Sequence, residues 1–166
     1  MDSLTFDRIL SNVNEMMIME LERLALKLAP AFTVSSLAPD TWEKTQASFE
    51  TGKLIVWSGA SDATIYSTAI ANWYFRAWHD SIHLKYGFDF SLHGEARTCE
   101  RQIAQAWQYC SRENRKLVQD LLEIEIVEQA SLAVYQGVFV LNQKQFTREQ
   151  LKARGYGNTD IQQALK

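Results

Sequence analysis

The chain has 166 residues, 46% of them apolar and 22% charged, a composition that fits one globular domain and excludes a disordered or fibrous chain. Two prolines and seven glycines are too few for a turn-dense all-β fold, and a formal charge of −3 argues against a protein built mainly to bind a phosphate backbone. The charge is uneven. Lys144, Arg148, Lys152, Arg154 and Lys166 face only Glu149 and Asp160 within residues 141–166, so this tail is basic and the remainder acidic.

In chain order, Phe6, Ile9, Leu10, Val13, Met16, Met17, Leu21, Leu24 and Leu28 recur at helical spacing and predict a first helix over about residues 3–29, ended by Pro30. Glu20, Glu22, Arg23 and Lys27 interrupt its apolar run, so it is neither a membrane span nor a signal peptide, and a cytoplasmic location is expected. Met16, Met17 and Met19 lie close together and make this helix a candidate homodimer face. A polar connector follows, then a short helix starting near Asp40, carrying Trp42 and Phe49 and stopped by Gly52. The segment KLIVWSG, residues 53–59, fits a strand, but a lone strand makes no sheet, so an extended buried segment is expected.

Residues 61–87 read as the strongest helix, capped by Ser61 or Asp62 and ended by Gly87. FDFSLHGE reads as a loop. Ala96, Cys99, Ile103, Ala106 and Cys110 mark a third long helix, and the two cysteines, about 16 Å apart along it, cannot form a disulfide. Buried thiols of this kind suit a reducing compartment and read as small hydrophobes. Leu117, Leu121, Ile124 or Glu125, Glu128, Leu132 and Tyr135 mark a fourth helix over 113–136. In the tail, Phe146, Thr147, Gln150 and Leu151 fit a hydrophobic staple around a capping box, with a helix to Gly155 and another turn or two in NTDIQQALK. The expected architecture is all-α: a helical bundle of four to five helices over 1–140, with a small basic C-terminal helical hairpin over 141–166 belonging to the same domain.

The chain has three histidines, and two of them stand four residues apart in FRAWHDSIH. On a helix Ile65, Ala69, Asn72, Arg76, His79 and His83 share one face, while aromatic residues fill most of the others. A polar row on a buried helix needs partners. Histidines at i and i+4 can aim two nitrogens at one point, as in zinc and non-haem iron sites that take a carboxylate from another helix. Glu128, on the apolar stripe of the fourth helix, is the expected third metal ligand to Zn²⁺ or Fe²⁺ beside His79 and His83, and Glu95 the other candidate. Arg76, Asp80 and Glu95 are the expected catalytic residues, with Arg76 receiving a substrate anion. His93 is a weaker candidate ligand. Two other readings stay open: a purely structural network of His, Arg and Glu, and metal-free acid–base catalysis.

Familiar patterns are excluded. Asp80 stands where a zinc peptidase of the H-E-x-x-H type has its glutamate, no glutamate lies three residues before either histidine, and no histidine precedes His79.

The stretch from Val56 to Glu95 contains Trp57, Ser58, Gly59, Ser61, Asp62, Ile65 and Tyr66, then Phe75, Arg76, Trp78, His79, Asp80 and His83, then Asp89, Phe90, Gly94 and Glu95. It resembles a segment of small uncharacterised proteins of tailed bacteriophages. The resemblance covers about forty residues. It implies a phage protein made in a bacterial cytoplasm and groups Arg76, His79, Asp80, His83, Asp89 and Glu95 as one constellation, without bringing an activity. The expected function is therefore a phage accessory protein with a His/carboxylate metal site, a candidate metal-dependent hydrolase of a small molecule. The alternative is a non-enzymatic protein that binds a host or phage partner. Nucleic acid, through the basic tail, is the weakest partner reading.

Overall fold

The computed structural model describes residues 21–157. The N-terminal part of the expected first helix, its three clustered methionines and the last turns of the tail lie outside these residues. Helix α1 occupies 21–28 of the described chain and stops before Pro30, which cannot continue the hydrogen-bond ladder. Strand β1 (Thr33–Ser35), helix α2 (Trp42–Glu50) and strand β2 (Ile55–Trp57) follow, and the two strands pair in parallel with Val34 opposite Val56. This corrects the expectation for residues 53–59: they contain a strand after all. Its partner, TVS, sits in what reads as a polar connector, and so short a non-local pairing leaves no periodic trace in sequence.

Helix α3 (Ala69–Tyr86) begins seven residues later than Asp62, the later of the two expected caps. Thr68 caps it by accepting the Ala71 amide, and Gly87, at φ 67°, ends it in the left-handed conformation that glycine tolerates. Residues 61–68 instead wrap back over the bundle. Ser61 is buried there, its hydroxyl 3.1 Å from both Asn72 Nδ2 and Trp73 Nε1, and Thr64 accepts the Tyr66 amide. Hydroxyls of this kind compete with helical backbone bonds, which explains the delayed start.

Helix α4 (Leu92–Trp107) starts inside the expected loop, with Ser91 accepting the Gly94 amide. Residues 115–136 are continuously helical, as expected for the fourth helix, but in three parts: α5 (Arg115–Glu123), a π-helical turn (Ile124–Glu128) and α6 (Gln129–Gln136). Helix α7 (Gln143–Ala153) is capped by Asn142, not Thr147, which lies inside the helix and is buried. The architecture is a helical bundle with a two-stranded parallel sheet at one side. Leu21 and Leu24 of α1, Phe75, Trp78 and Ile82 of α3, Cys99 and Ala106 of α4, and Val118, Leu121 and Leu122 of α5 fill one core, which Leu151 of α7 joins. Burying side chains of this size stabilises by about 1.5–3 kcal/mol each before entropy is charged against it. Neither Cys99 nor Cys110 is in a disulfide.

Candidate metal centre

Two neighbouring helices build the site. His79 and His83 stand one turn apart on α3, and Glu95 lies in the first turn of α4. The tight junction between the helices sets their approach. Asp89 accepts the Ser91 amide and hydroxyl, Ser91 caps α4, and Gly94 packs so closely on this turn that a Cβ would sit 1.9 Å from the Asp89 carbonyl oxygen. Only glycine allows that approach, and it delivers the next residue, Glu95, to the histidines.

His83 is fully buried, and its Nδ1 lies 2.9 Å from the Phe88 carbonyl oxygen. A carbonyl can only accept, so Nδ1 carries the hydrogen. His79 Nδ1 lies 2.8 Å from Oε1 of Gln102, a fully buried residue of α4, and donates in the same way. With both Nδ1 atoms committed, the neutral rings present lone pairs at Nε2. Those two nitrogens are 3.0 Å apart, and Glu95 Oε2 lies 3.1 Å from that of His79 and 3.4 Å from that of His83. Three electron-rich atoms at such separations need a positive particle among them.

A proton is one solution. Burial alone would pull the His79 imidazolium down, but the charge and hydrogen bond of Glu95, with Asp80 and Gln102 behind, push it up to about 9. Burial alone would raise Glu95, and the two histidines instead hold it at about 2. A metal ion is the other solution. Ligand atoms about 2.05 Å from a tetrahedral ion lie about 3.3 Å from one another, which matches the three observed edges. The carbonyl and amide behind the two Nδ1 atoms are the outer partners that histidine ligands of metals ordinarily have. His79, His83 and Glu95 are the group among the described residues whose ligand atoms converge this way.

The convergence opens on a cavity of about 520 Å³. His79 and Glu95, each 15% exposed, reach it, together with Asp80, Arg76 and Glu125. Burial raises Asp80, against the charges of His79 and His83. Burial also pushes Glu125 up to about 7, against hydrogen bonds from Thr147 and Gln129 and the charge of Arg76. Thr147 Oγ1 donates to Glu125 Oε1 at 2.7 Å, so α7 fixes the orientation of that carboxyl.

Two expectations change here. Glu128 does not join the histidines: its carboxylate pairs with Arg154, the residue at the C-terminal cap of α7. Both Glu125 and Glu128 lie in the π-turn, and they take different partners, Glu125 bonding Thr147 and Glu128 pairing with Arg154. Glu95, the other candidate carboxylate, is the one that stands beside the two histidines. Arg76 is not poised for a substrate anion either. Its Nη1 donates to the Trp57 and Gly59 carbonyls at 2.6 Å each and its Nη2 to Ala60 at 3.3 Å, so it ties α3 to the turn after β2. His93 is exposed in the first turn of α4, outside the convergent group. Sequence reading missed Gln102, although its place seven residues after Glu95, on the same helix face, was a usable signal.

Comparison of the chain with protein-family models, curated proteins and solved structures gave no match, so the meaning of the site rests on its own chemistry.

Proposed function

We propose that the chain is a divalent-metal protein in which His79, His83 and Glu95 hold Zn²⁺ or Fe²⁺ and leave a coordination position open to the cavity for hydrolytic chemistry. The observation that carries this reading is the commitment of both Nδ1 atoms to acceptors, which leaves two Nε2 lone pairs and one carboxylate oxygen aimed at a single point. Two imidazoles and a carboxylate with a vacant position suit both catalytic zinc and non-haem ferrous iron. Such an ion lowers the pKa of a bound water to near neutrality and polarises the bond to be cleaved. Glu125 and Asp80 line the same cavity and are the groups available to move protons, and the Asn72–Arg76 part of the polar row serves structure.

Metal analysis of tag-free protein prepared without chelator tests this directly. About one equivalent of transition metal, lost on EDTA treatment together with thermal stability, is the expected result. Absence of metal with an EDTA-insensitive melting curve would sink the proposal.

One observation favours a second reading. The His79–Glu95 pair can satisfy itself with a proton, and the protein would then be a non-enzymatic accessory that binds a host or phage partner through its surface. The resemblance of residues 56–95 to tailed-phage proteins is compatible with either reading and would place the chain in a bacterial cytoplasm. No helix among the described residues is long and apolar enough to cross a membrane.

A further inference from the structure

The cavity above the three ligands has a mixed lining. It is lined by His79, Glu95, Asp80 and Glu125, and also by a group of exposed apolar side chains. Trp57 of β2 and Phe139 of the α6–α7 connector meet there edge to face, with ring centroids 5.7 Å apart, and remain 40% and 54% exposed. Val134 of α6, 58% exposed, and Val140 extend the same surface. The position of Trp57 is fixed from behind by Arg76, which binds the carbonyls of residues 57, 59 and 60 and lies 5.3 Å from the indole ring. Exposed aromatic rings held rigidly at the mouth of a polar cavity are a costly arrangement unless something apolar covers them.

The charge of the interior narrows what that is. Three carboxyl groups, of Glu95, Asp80 and Glu125, line this interior with one guanidinium, Arg76, three of whose N–H donors bind backbone carbonyls. Carboxyl groups on several sides of the open position oppose a phosphate or a dicarboxylate and suit an uncharged group better.

Resting on the metal reading above, we infer that the site takes an uncharged amphipathic small molecule, an aryl or medium-chain acyl amide or ester, whose apolar body packs on Trp57 and Phe139 while its carbonyl reaches the open coordination position. A volume of about 520 Å³ admits one such molecule. In the reaction the water oxygen bonds to the acyl carbon and the C–N or C–O bond breaks. One water proton goes to the leaving nitrogen or oxygen, and the products are a carboxylic acid and an amine or alcohol.

Hydroxamates chelate Zn²⁺ whatever their side chain, so they separate the two layers of the inference. Calorimetric titration of the zinc-loaded full chain, its metal content measured first, should show 2-naphthohydroxamate binding at least about tenfold more tightly than acetohydroxamate. Trp57→Ala and Phe139→Ala should each shrink that ratio, and the double variant should erase it, with acetohydroxamate affinity unchanged. Phe139→Ser, in an exposed connector, guards against a folding defect of the strand variant. Equal affinity of the two hydroxamates for metal-loaded protein, or failure of both to bind it, would overturn the inference and leave the metal standing. A chain that retains no zinc after loading removes the metal reading and this inference together.

Discussion

Two clusters of acidic side chains sit at helix junctions in this molecule, and they are resolved in opposite ways. At the α5–α7 junction Asp120, Glu123 and Glu128 converge on the guanidinium of Arg154. Lys116 and the Tyr156 hydroxyl add further bonds to Asp120, whose side chain is only 1% exposed. The burial cost of these carboxylates is met from within the chain, and Asp120 stays below the usual carboxylate range, where burial alone would have raised it. At the α3–α4 junction Glu95 meets two imidazoles whose other nitrogens already donate elsewhere, and no lysine or arginine joins the ligand atoms among the described residues. A cluster with its own cation is a clasp. One whose positive partner must be a proton or an ion is a receptor. The pair teaches that acid in a buried position identifies function only through what neutralises it.

The sharpest way to break that contrast is to remove the cation of the clasp. Arg154→Ala leaves Asp120 buried against two other acids and should cost about 3–5 kcal/mol in urea unfolding, without altering metal content. A small cost would mean that Lys116 and the Tyr156 hydroxyl, not Arg154, hold the buried charge of Asp120. The mirror experiment is on the receptor. His83→Ala and Glu95→Ala should abolish metal retention and also lose the stabilisation that metal gives, about 3 kcal/mol at a hundredfold excess over the dissociation constant. Glu128→Gln should retain full metal content. If Glu128→Gln lost the metal while Glu95→Ala kept it, the assignment of the two acids would be reversed.

Between the two clusters lies Glu125, neutralised by neither. It faces Thr147 of α7, Gln129 of α6, Arg76 of α3 and, more distantly, Tyr66. Its carboxyl is raised from an ordinary 4.5 to about 7, chiefly by burial. The folded state therefore holds this proton more tightly than the unfolded chain, so the group's contribution to stability is greatest below pH 4.5. It is lost as pH rises from there to about 7. The loss should come to about 2 kcal/mol once partial contact with the cavity solvent is discounted. Glu125→Gln should flatten this part of the pH–stability curve and be the more stable protein above pH 7. An unchanged pH profile in the variant would place the titration elsewhere.

How much of this was legible depended on how local each cause was. The i, i+4 histidines, the glycine stop at residue 87 and the long amphipathic helices follow from periods of the chain itself, and those expectations stand in the structure. The parallel pairing of residues 33–35 with 55–57 joins three pairs of residues, each pair 22 apart in sequence, too sparse to leave a pattern. The start of α3 was masked by Ser61 and Asp62, which look like good caps, but the Ser61 hydroxyl lies within bonding distance of the Ser58 and Gly59 carbonyls and accepts from Asn72 Nδ2. Which acid meets the histidines depended on non-local pairing, with Glu128 taken by Arg154 and Glu95 brought in by the junction of α3 and α4. A site built across two helices is thus readable as residue types and not as a set of partners.

The smallest effect tests how tightly the receptor is held. Ser91 accepts the Gly94 amide and is itself gripped by Asp89, so the first turn of α4, which carries Glu95, hangs on this cap. Ser91→Ala should cost about 1 kcal/mol, as for other serine caps. A surface cap elsewhere would end its influence there. Here the frayed turn contains the ligand, so zinc affinity should fall several-fold while the metal stoichiometry of saturated protein stays the same. Thr41→Ala, which removes the corresponding cap of α2, supplies the control: a similar loss of stability with unaltered zinc affinity. Equal affinities in both variants would mean that the packing of Gly94 on Asp89, and not the serine cap, fixes Glu95.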